Sequence, residues 1–300
     1  MALVLVVVAV LPWLFGELLP QAGVIGLGLA ALTAYTPFLL AIALAVAALR
    51  RARAALVAGA LLLVVSAATL LPAYVGDRVP RGPVLRVMTV NLMLGRGDAG
   101  RVVELVRRHR VDVLAMEELT PPEVDRLRAA GLERELPYAI DHADWNADGT
   151  GLWSRLPLRE VPGRPLRFHS AGADVDVGGR TIRVRALHPP PPVQPDVWRH
   201  DYRVLRQQAR DDRDVPTLLL GDFNASVHHR ELRRLMGSRW RDAAEVTGAG
   251  LVRTWSPARW APPLLDPDHV LVDRGMRVAR WSSWDVRGSD HDAVLVDVVL

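Results

Sequence analysis

Three short polar phrases near the C-terminal end combine carboxylate, amide and imidazole groups beside strand-like segments. Gly221-Asp222-Phe223-Asn224 follows an apolar run, Asp268-His269 leads into one, and Ser289-Asp290-His291 precedes another. Strand ends are positions where a sheet holds polar groups rigidly at its open edge. Oxygen ligands beside imidazoles, in a chain without cysteine, suit Mg²⁺ or Mn²⁺ better than zinc. The three phrases therefore indicate metal-assisted hydrolysis.

Four further phrases upstream have the same character. Residues 87–91 read as a strand that ends in Asn91, and residues 112–118 as a strand that ends in two glutamates. Residues 149–157 form an apolar segment bounded by Gly and Pro, and residues 182–188 alternate in polarity and end in His188. Each phrase alone is a common turn or strand pattern. The order of all seven phrases along the chain is more specific than any one of them.

Taken in order, the seven phrases resemble the endonuclease/exonuclease/phosphatase superfamily, the fold of DNase I and the apurinic endonucleases. The resemblance spans residues 84–300. It implies an α/β domain built as a four-layer sandwich with two packed sheets at its centre. One departure concerns the second strand, where the family usually has Gln before the metal-binding Glu. Here Glu117 precedes Glu118, so which of the two carboxylates binds the metal stays open.

The resemblance also implies a metal site for Mg²⁺, or Mn²⁺ in its place. By its match to the family pattern, Glu118 is the main ligand and Asn91 lies nearby. Asp290 is a further ligand or a carboxylate just outside the metal's coordination shell.

The other matching positions are expected to be catalytic. The resemblance implies that His291 is the general base and that Asp268 orients it through the other ring nitrogen, which fixes the tautomer. Asp222 is expected to orient water or to protonate the leaving group. Asn224 and His188 are expected to donate to phosphate oxygens. A donor at such a position lowers the activation barrier by roughly a few kcal/mol.

Other polar residues are better explained by structural roles. His269 alternates to the opposite side of its strand from Asp268 and is therefore expected to be structural. His228 and His229 are expected to start a helix, and His200 to lie on the solvated side of one.

Charge separates the chain into two unequal parts. Residues 1–75 contain one acid, Glu17, and three arginines, whereas the remaining residues carry 34 basic and 32 acidic side chains. A net charge of +2 on the larger part is not the basic footprint of a strong nucleic-acid binder. The absence of cysteine excludes disulfides and thiolate chemistry.

The N-terminal quarter has the composition of membrane helices. Residues 22–49 and 54–76 contain no charged side chain, and each is longer than the about 20 residues that cross a bilayer core as a helix. A third apolar stretch covers residues 2–19, interrupted by Pro12 and Glu17. We predict a membrane region at residues 1–76 with three transmembrane helices at about 2–19, 22–49 and 54–76, the second kinked at Pro37. Two helices are the alternative.

Orientation follows from the short basic loop that contains Arg50, Arg51 and Arg53. Short basic loops stay in the cytoplasm, so the end of the last helix is expected on the other side. A linker at residues 77–83 then leads to the domain at residues 84–300. The chain is thus predicted to be a multi-pass cell-membrane protein with an extracytoplasmic catalytic domain.

Between the polar phrases, the pattern predicts the helices of the domain. Apolar spacing indicates a helix at residues 101–110 and another at residues 199–213. Residues 121–131 read as a helix opened by proline. The prolines at 189–192 and Pro195 predict a rigid extended loop.

The leading functional hypothesis is a membrane-anchored, Mg²⁺-dependent phosphoesterase. Its partners are expected to be the lipid bilayer and a phosphodiester substrate, which is DNA, RNA or a lipid headgroup; no protein partner is inferred. The alternative is a catalytically inactive, membrane-tethered binding module with the same fold. The eight metal-binding and catalytic positions named above are all present, which favours an enzyme over an inactive module.

Overall fold

The computed structural model describes residues 1–78, 82–258 and 260–300, so residues 79–81 of the predicted linker 77–83 lie outside the described part. The strands are β1 (Val84–Asn91), β2 (Val113–Glu117), β3 (Tyr138–His142), β4 (Thr150–Ser154), β5 (Leu158–Glu160), β6 (Ala171–Val177), β7 (Arg180–Leu187), β8 (Thr217–Asp222), β9 (Trp240–Asp242), β10 (Asp268–Asp273), β11 (Arg277–Trp284) and β12 (Ala293–Val299). The helices are α1 (Ala2–Trp13), α2 (Gly23–Ala31), α3 (Thr36–Leu49), α4 (Arg53–Leu70), α5 (Ala99–His109), α6 (Pro121–Ala130), α7 (Leu132–Glu135), α8 (Pro195–Asp211), α9 (Arg230–Met236) and α10 (Ala243–Thr247).

The strands form two six-stranded mixed sheets, in the orders β11-β12-β1-β2-β4-β3 and β5-β6-β7-β8-β10-β9. Aliphatic residues from the inner faces of both sheets form one buried cluster, which includes Val87, Val113, Val184 and Leu220. Helices α5 and α6 cover the outer face of the first sheet, and α8 and α9 cover the second. The predicted four-layer α/β sandwich is therefore confirmed.

Strand register explains why the polar phrases meet. Parallel β1 and β2 place Asn91 beside Glu117, and antiparallel β8 and β10 place Asp222 opposite Asp268. The two central strands, β1 and β8, are buried on both faces, because each has the other sheet on one side and helices on the other. Polar side chains can therefore reach solvent only where these strands end.

Local signals account for the helix boundaries of the domain. Asp98 caps α5 by accepting from the Arg101 N–H, and α6 ends at Gly131, whose φ of 98° favours glycine. Helix α8 begins at Pro195 rather than at residue 199, which corrects the predicted loop. Proline fits there because the N–H groups of a first helical turn have no partner within the helix.

The predicted membrane helix at residues 22–49 is not continuous. It divides into α2 and α3 around a 3₁₀ turn, Thr33–Tyr35, and Pro37 lies in the first turn of α3 instead of kinking a longer helix. Within the described residues, one helix could cross a membrane by its length and composition, Arg53–Tyr74, which is α4 with the 3₁₀ turn that follows it. Ala2–Leu18 and α2 meet at 98° and count at most as one broken span, while Thr33–Leu49 is shorter.

Small residues mediate the packing of α1, α3 and α4. Ala43 and Ala47 are buried between these helices, and a Cβ on Gly59 would lie 2.8 Å from the Leu44 side chain. Close approach through small residues is typical of helices that associate in lipid. The outward faces carry large apolar side chains such as Phe38, Leu61 and Val64, each more than 60% exposed. The helices thus present a hydrocarbon surface to their surroundings.

The N-terminal helices also dock on the α/β domain. The Gln21 side chain donates to the His228 carbonyl at 2.8 Å and accepts from the Arg230 N–H at 2.8 Å. Leu27 of α2 is buried in one cluster with Trp198 and Phe223 of the domain. The docking therefore combines hydrogen bonds with apolar burial.

Candidate active site

The β8 end is shaped by a glycine. Gly221 has a φ of 144°, and a Cβ there would lie 1.9 Å from the Leu187 carbonyl of β7. Only glycine lets the two parallel strands approach so closely before the chain turns. The next residue, Asp222, accepts from the Asn224 N–H at 2.8 Å, and the Asn224 amide donates to the Pro189 carbonyl at 3.0 Å.

Asn91 connects the carboxylates of the two sheets. Its amide nitrogen donates to Glu118 Oε1 at 3.2 Å and to Asp222 Oδ2 at 3.0 Å. Its side-chain oxygen, Oδ1, accepts from the Met93 N–H at 2.9 Å, which fixes the orientation of the amide. Asn91 is fully buried, so this bridge is rigid.

The two glutamates at the end of β2 have different environments. Glu118 is half-buried with a φ of 51°, and it also accepts from the Leu94 N–H at 2.9 Å. Glu117 is fully buried and accepts from the Thr89 hydroxyl at 3.0 Å. Burial, with repulsion from Asp268 and Asp222, raises the Glu117 pKa well above its usual range. The geometry favours Glu118 as the metal-binding carboxylate, because Glu117 is fully buried and burial disfavours its charged form.

His291 and Asp268 form a buried pair. His291 Nδ1 lies 2.9 Å from Asp268 Oδ2, and the same oxygen accepts from the Thr254 hydroxyl at 2.6 Å. The other ring nitrogen, Nε2, lies 3.7 Å from Asp222 Oδ2. Desolvation lowers the His291 pKa, but attraction to Asp268, Asp222 and Asp290 outweighs it and raises the pKa to about 10. His291 can therefore be neutral, as a general base must be, only when part of the negative charge of these three carboxylates is compensated.

His188 also lies close to Asp222. Its Nδ1 donates to the Ala147 carbonyl at 3.2 Å, and its Nε2 lies 3.6 Å from Asp222 Oδ2. Desolvation lowers the His188 pKa to about 4, so the ring is neutral and carries its proton on Nδ1. In this tautomer Nε2 is an acceptor. The expected donation from Nε2 to a phosphate oxygen therefore needs an additional proton on His188.

Asp290 occupies the rim of the site. It is half-buried, its Oδ2 accepts from the Trp255 indole at 3.1 Å, and its Oδ1 lies 3.9 Å from His291 Nε2. The hydroxyl of the preceding Ser289 donates to the backbone carbonyl of Asn91 at 2.7 Å, which connects this turn to the end of β1. Sequence reasoning missed the contribution of Thr254.

The residues interpreted as structural have structural contacts. His269 is buried between the Asp242 carboxylate at 2.7 Å and the Ala225 carbonyl at 2.7 Å, as its strand position predicts. His229 immediately precedes α9, and His228 lies 3.2 Å from Glu17 of the N-terminal segment. His200 is exposed on α8.

Residues 88–291 match the model of the Endonuclease/Exonuclease/phosphatase family. The chain belongs to this family. The match covers more than half of the chain and includes all eight predicted site residues. Family members are hydrolases that act on phosphodiesters.

Solved structures share the fold at low sequence identity. D. rerio TDP2 complexed with single strand DNA product has a TM-score of 0.59 at 16% identity, covering 72% of this chain and 99% of that chain. Sphingomyelinase C from Streptomyces griseocarneus has a TM-score of 0.51 at 18% identity, covering 72% and 99%. An endonuclease/exonuclease/phosphatase from Beutenbergia cavernae has a TM-score of 0.55 at 19% identity, covering 73% and 72%. No protein with a curated description matches the chain.

The residues present fit the divalent cation on which enzymes of this family generally depend. Ligand atoms of Asp222, Asp268 and His291 lie within 4.8 Å of one another, and this group differs from the predicted metal residues Asn91, Glu118 and Asp290. Asn91 joins the two sets, because its amide donates to both Asp222 and Glu118. Desolvation, with repulsion from Asp268, raises the Asp222 pKa to about 6. Closely packed carboxylates with raised pKa values are an arrangement that a cation stabilises, and oxygen donors suit Mg²⁺.

Proposed function

We propose that this protein is a membrane-anchored, Mg²⁺-dependent phosphoesterase that hydrolyses a phosphodiester outside the cytoplasm. One observation carries the proposal. Polar residues from distant parts of the chain converge at one edge of both sheets, linked through Asn91 to Glu118 and Asp222 and through His291 to Asp268. An arrangement of this kind can hold a cation, a phosphate and an attacking water together.

The residues divide the chemistry between them. Glu118, Asn91 and Asp290 would hold the cation, which supplies positive charge to the phosphoryl oxygens and to the neighbouring carboxylates. His291 accepts the proton of the attacking water through Nε2, while Asp268 holds Nδ1 and stabilises the charge that develops. Asp222, between His291 and His188, orients the water or returns a proton to the leaving oxygen. Asn224 donates to a phosphate oxygen.

The geometry of the N-terminal helices supports the anchoring part of the proposal. Helix α4 has 18 residues and is therefore about 27 Å long, close to the thickness of a bilayer core. The basic loop with Arg50, Arg51 and Arg53 lies at the start of α4, and the α/β domain follows its other end. A bilayer around α4 would thus separate the basic loop from the active site, with the loop in the cytoplasm.

The rival proposal, an inactive binding module, loses support from the same geometry. A module that had lost catalysis would not need His291, Asp268 and Asp222 in contact at the end of two strands. The buried cluster is also unfavourable for stability, because desolvation and mutual repulsion raise the pKa of Asp222. Such a cost is typical of active sites.

A substrate panel tests the proposed function. The full chain would be incubated with bis-p-nitrophenyl phosphate, plasmid DNA and sphingomyelin, each with Mg²⁺ or with EDTA. We expect Mg²⁺-dependent hydrolysis of the small diester and of at least one of the two natural classes. H291A is the matched control for contaminating hydrolases. Equal rates in the wild type and H291A, or no Mg²⁺ dependence, would overturn the proposal.

A further inference from the structure

Helix α2 turns one side toward the active site instead of packing lengthwise with α1 or α3. Val24, Leu27, Gly28 and Ala31 follow the i, i+3, i+4, i+7 spacing that defines one helix face. The helix is held in place by His229, whose Nε2 donates to the Leu27 carbonyl at 3.1 Å. This contact joins α2 to the chain segment that follows Asn224.

A cavity of about 320 Å³ separates this face from the catalytic residues. The residues that line it also include His291, Asn224 and Trp255. The cavity therefore begins at the group expected to activate water and extends to the N-terminal helices. Its volume lies within the range of small-molecule sites, which hold roughly 300–1,000 Å³.

The cavity walls are mainly hydrocarbon. The lining includes Pro191, Pro192, Val193, Leu265 and Pro267. The acidic residue Asp266 also lines the cavity. Walls of this composition suit an alkyl chain better than the charged backbone of a nucleic acid.

We propose that the α2 face and the opposing loops form a binding site for the hydrocarbon chain of a membrane lipid whose phosphoester is hydrolysed. This inference rests on the proposed function and specifies its substrate class. We assign the hydrocarbon chain to a membrane lipid because α2 lies between the apolar helices α1 and α3 in the sequence. On the outer side of α2, Ile25 is 79% exposed. A lipid can thus enter from the bilayer with its phosphate directed toward His291.

Gly28 provides a way to fill the cavity without disturbing the helix. It lines the cavity, and a Cβ built on it meets no atom within 4 Å. The G28F side chain therefore projects into the space assigned to the alkyl chain. Ile25 lies on the same helix but outside the cavity lining, so I25F is a matched control with the same added ring. V24W, one turn before Gly28 on the cavity face, is a second blocking variant.

The test uses alkyl p-nitrophenyl phosphates from methyl to octyl, because they share one leaving group and differ only in chain length. The full chain is held in an amphipol, which contains no phosphoester, and kcat/KM is measured with Mg²⁺. Each buried methylene favours binding by at most roughly fourfold. We expect kcat/KM to rise with chain length in the wild type and in I25F, and this rise to be lost in G28F and V24W. Thermal unfolding confirms that each variant is folded.

The outcomes distinguish the two proposals. If the wild type hydrolyses the methyl ester but shows no rise with chain length, the lipid-chain site is wrong and the phosphoesterase stands. An equal rise in G28F, V24W and I25F would also overturn the site, since partition into the amphipol would then explain it. If no ester, including the methyl ester, is hydrolysed in a Mg²⁺-dependent way, the proposed function itself fails and this inference fails with it.

Discussion

His291 Nδ1 lies 2.9 Å from Asp268 Oδ2, at a point where the starts of β12 and β10 meet. The same carboxylate oxygen accepts from the Thr254 hydroxyl at 2.6 Å, so Asp268 cannot rotate away without breaking two contacts. The pairing fixes the ring of His291 and leaves Nε2 directed toward Asp222 at 3.7 Å. The catalytic assignment of His291 therefore depends on a positioning contact that can be tested separately.

Removing the imidazole should affect turnover rather than binding. We expect H291A to lower kcat by on the order of 10² to 10⁴, the usual span for a general base, with little change in KM. D268N should lose less, because the ring stays in place and only its charged partner is removed. Steady-state kinetics on bis-p-nitrophenyl phosphate measure both effects. Near-wild-type kcat in H291A would show that the Ser289-Asp290-His291 turn is structural.

The stability that the buried His229 contributes should fall in acid, because protonation of Nδ1 removes the acceptor of the Ser226 N–H. Desolvation lowers the pKa of His229 from its ordinary 6.5 to about 4, and His228 and Arg233 add to the shift. The folded state thus binds the proton less well than the unfolded state. Stability from this group is fully present above pH 6.5 and is lost as the pH falls toward 4, by at most about 3 kcal/mol.

Thermal unfolding of the wild type and H229N between pH 7 and pH 4 measures this loss. Carboxylates also titrate in that range, so the informative quantity is the difference between the two proteins. We expect the wild type to lose more stability than H229N. Parallel curves would contradict a buried, neutral His229.

Deleting residues 1–75 tests how far the N-terminal helices belong to the domain. Their removal should give a more soluble protein that keeps Mg²⁺-dependent hydrolysis of a small diester. The docking contacts also predict a lower Tm, because Leu27 no longer covers Trp198 and Phe223. A truncated chain with an unchanged Tm would mean that α2 contributes nothing to the domain.

Topology is tested by a reporter fused after Leu300. If Arg50, Arg51 and Arg53 lie in the cytoplasm, an alkaline phosphatase reporter should be active and a cytoplasmic fluorescent reporter dark. The reverse pattern would overturn the orientation. Substituting the three arginines by Gln is the matched control, since it should weaken the orientation without altering the α/β domain.

The sequence predicted the sandwich and the convergence of the site because each polar phrase directly adjoins a strand. Alternation along a strand also explains why His269 was separated correctly from Asp268. The break between α2 and α3 was not predicted, because residues 22–49 contain no charged side chain and the direction of the helices depends on docking to the domain. Thr254 was missed for a similar reason. Its contact with Asp268 depends on how an irregular segment folds back, which periodicity does not indicate.

The most direct test of the central claim compares E118Q with E117Q. Glu118 is half-buried and adjoins Asn91, whereas Glu117 is enclosed and burial raises its pKa, so an uncharged glutamine of the same shape should replace it with little effect. The measurement is the Mg²⁺ dependence of bis-p-nitrophenyl phosphate hydrolysis by both variants and the wild type. We predict that E118Q loses activity by on the order of 10² or more, as expected when a metal-binding charge is removed, and that E117Q stays close to the wild type. A greater loss in E117Q than in E118Q, or full activity in E118Q, would contradict a cation site built on Glu118.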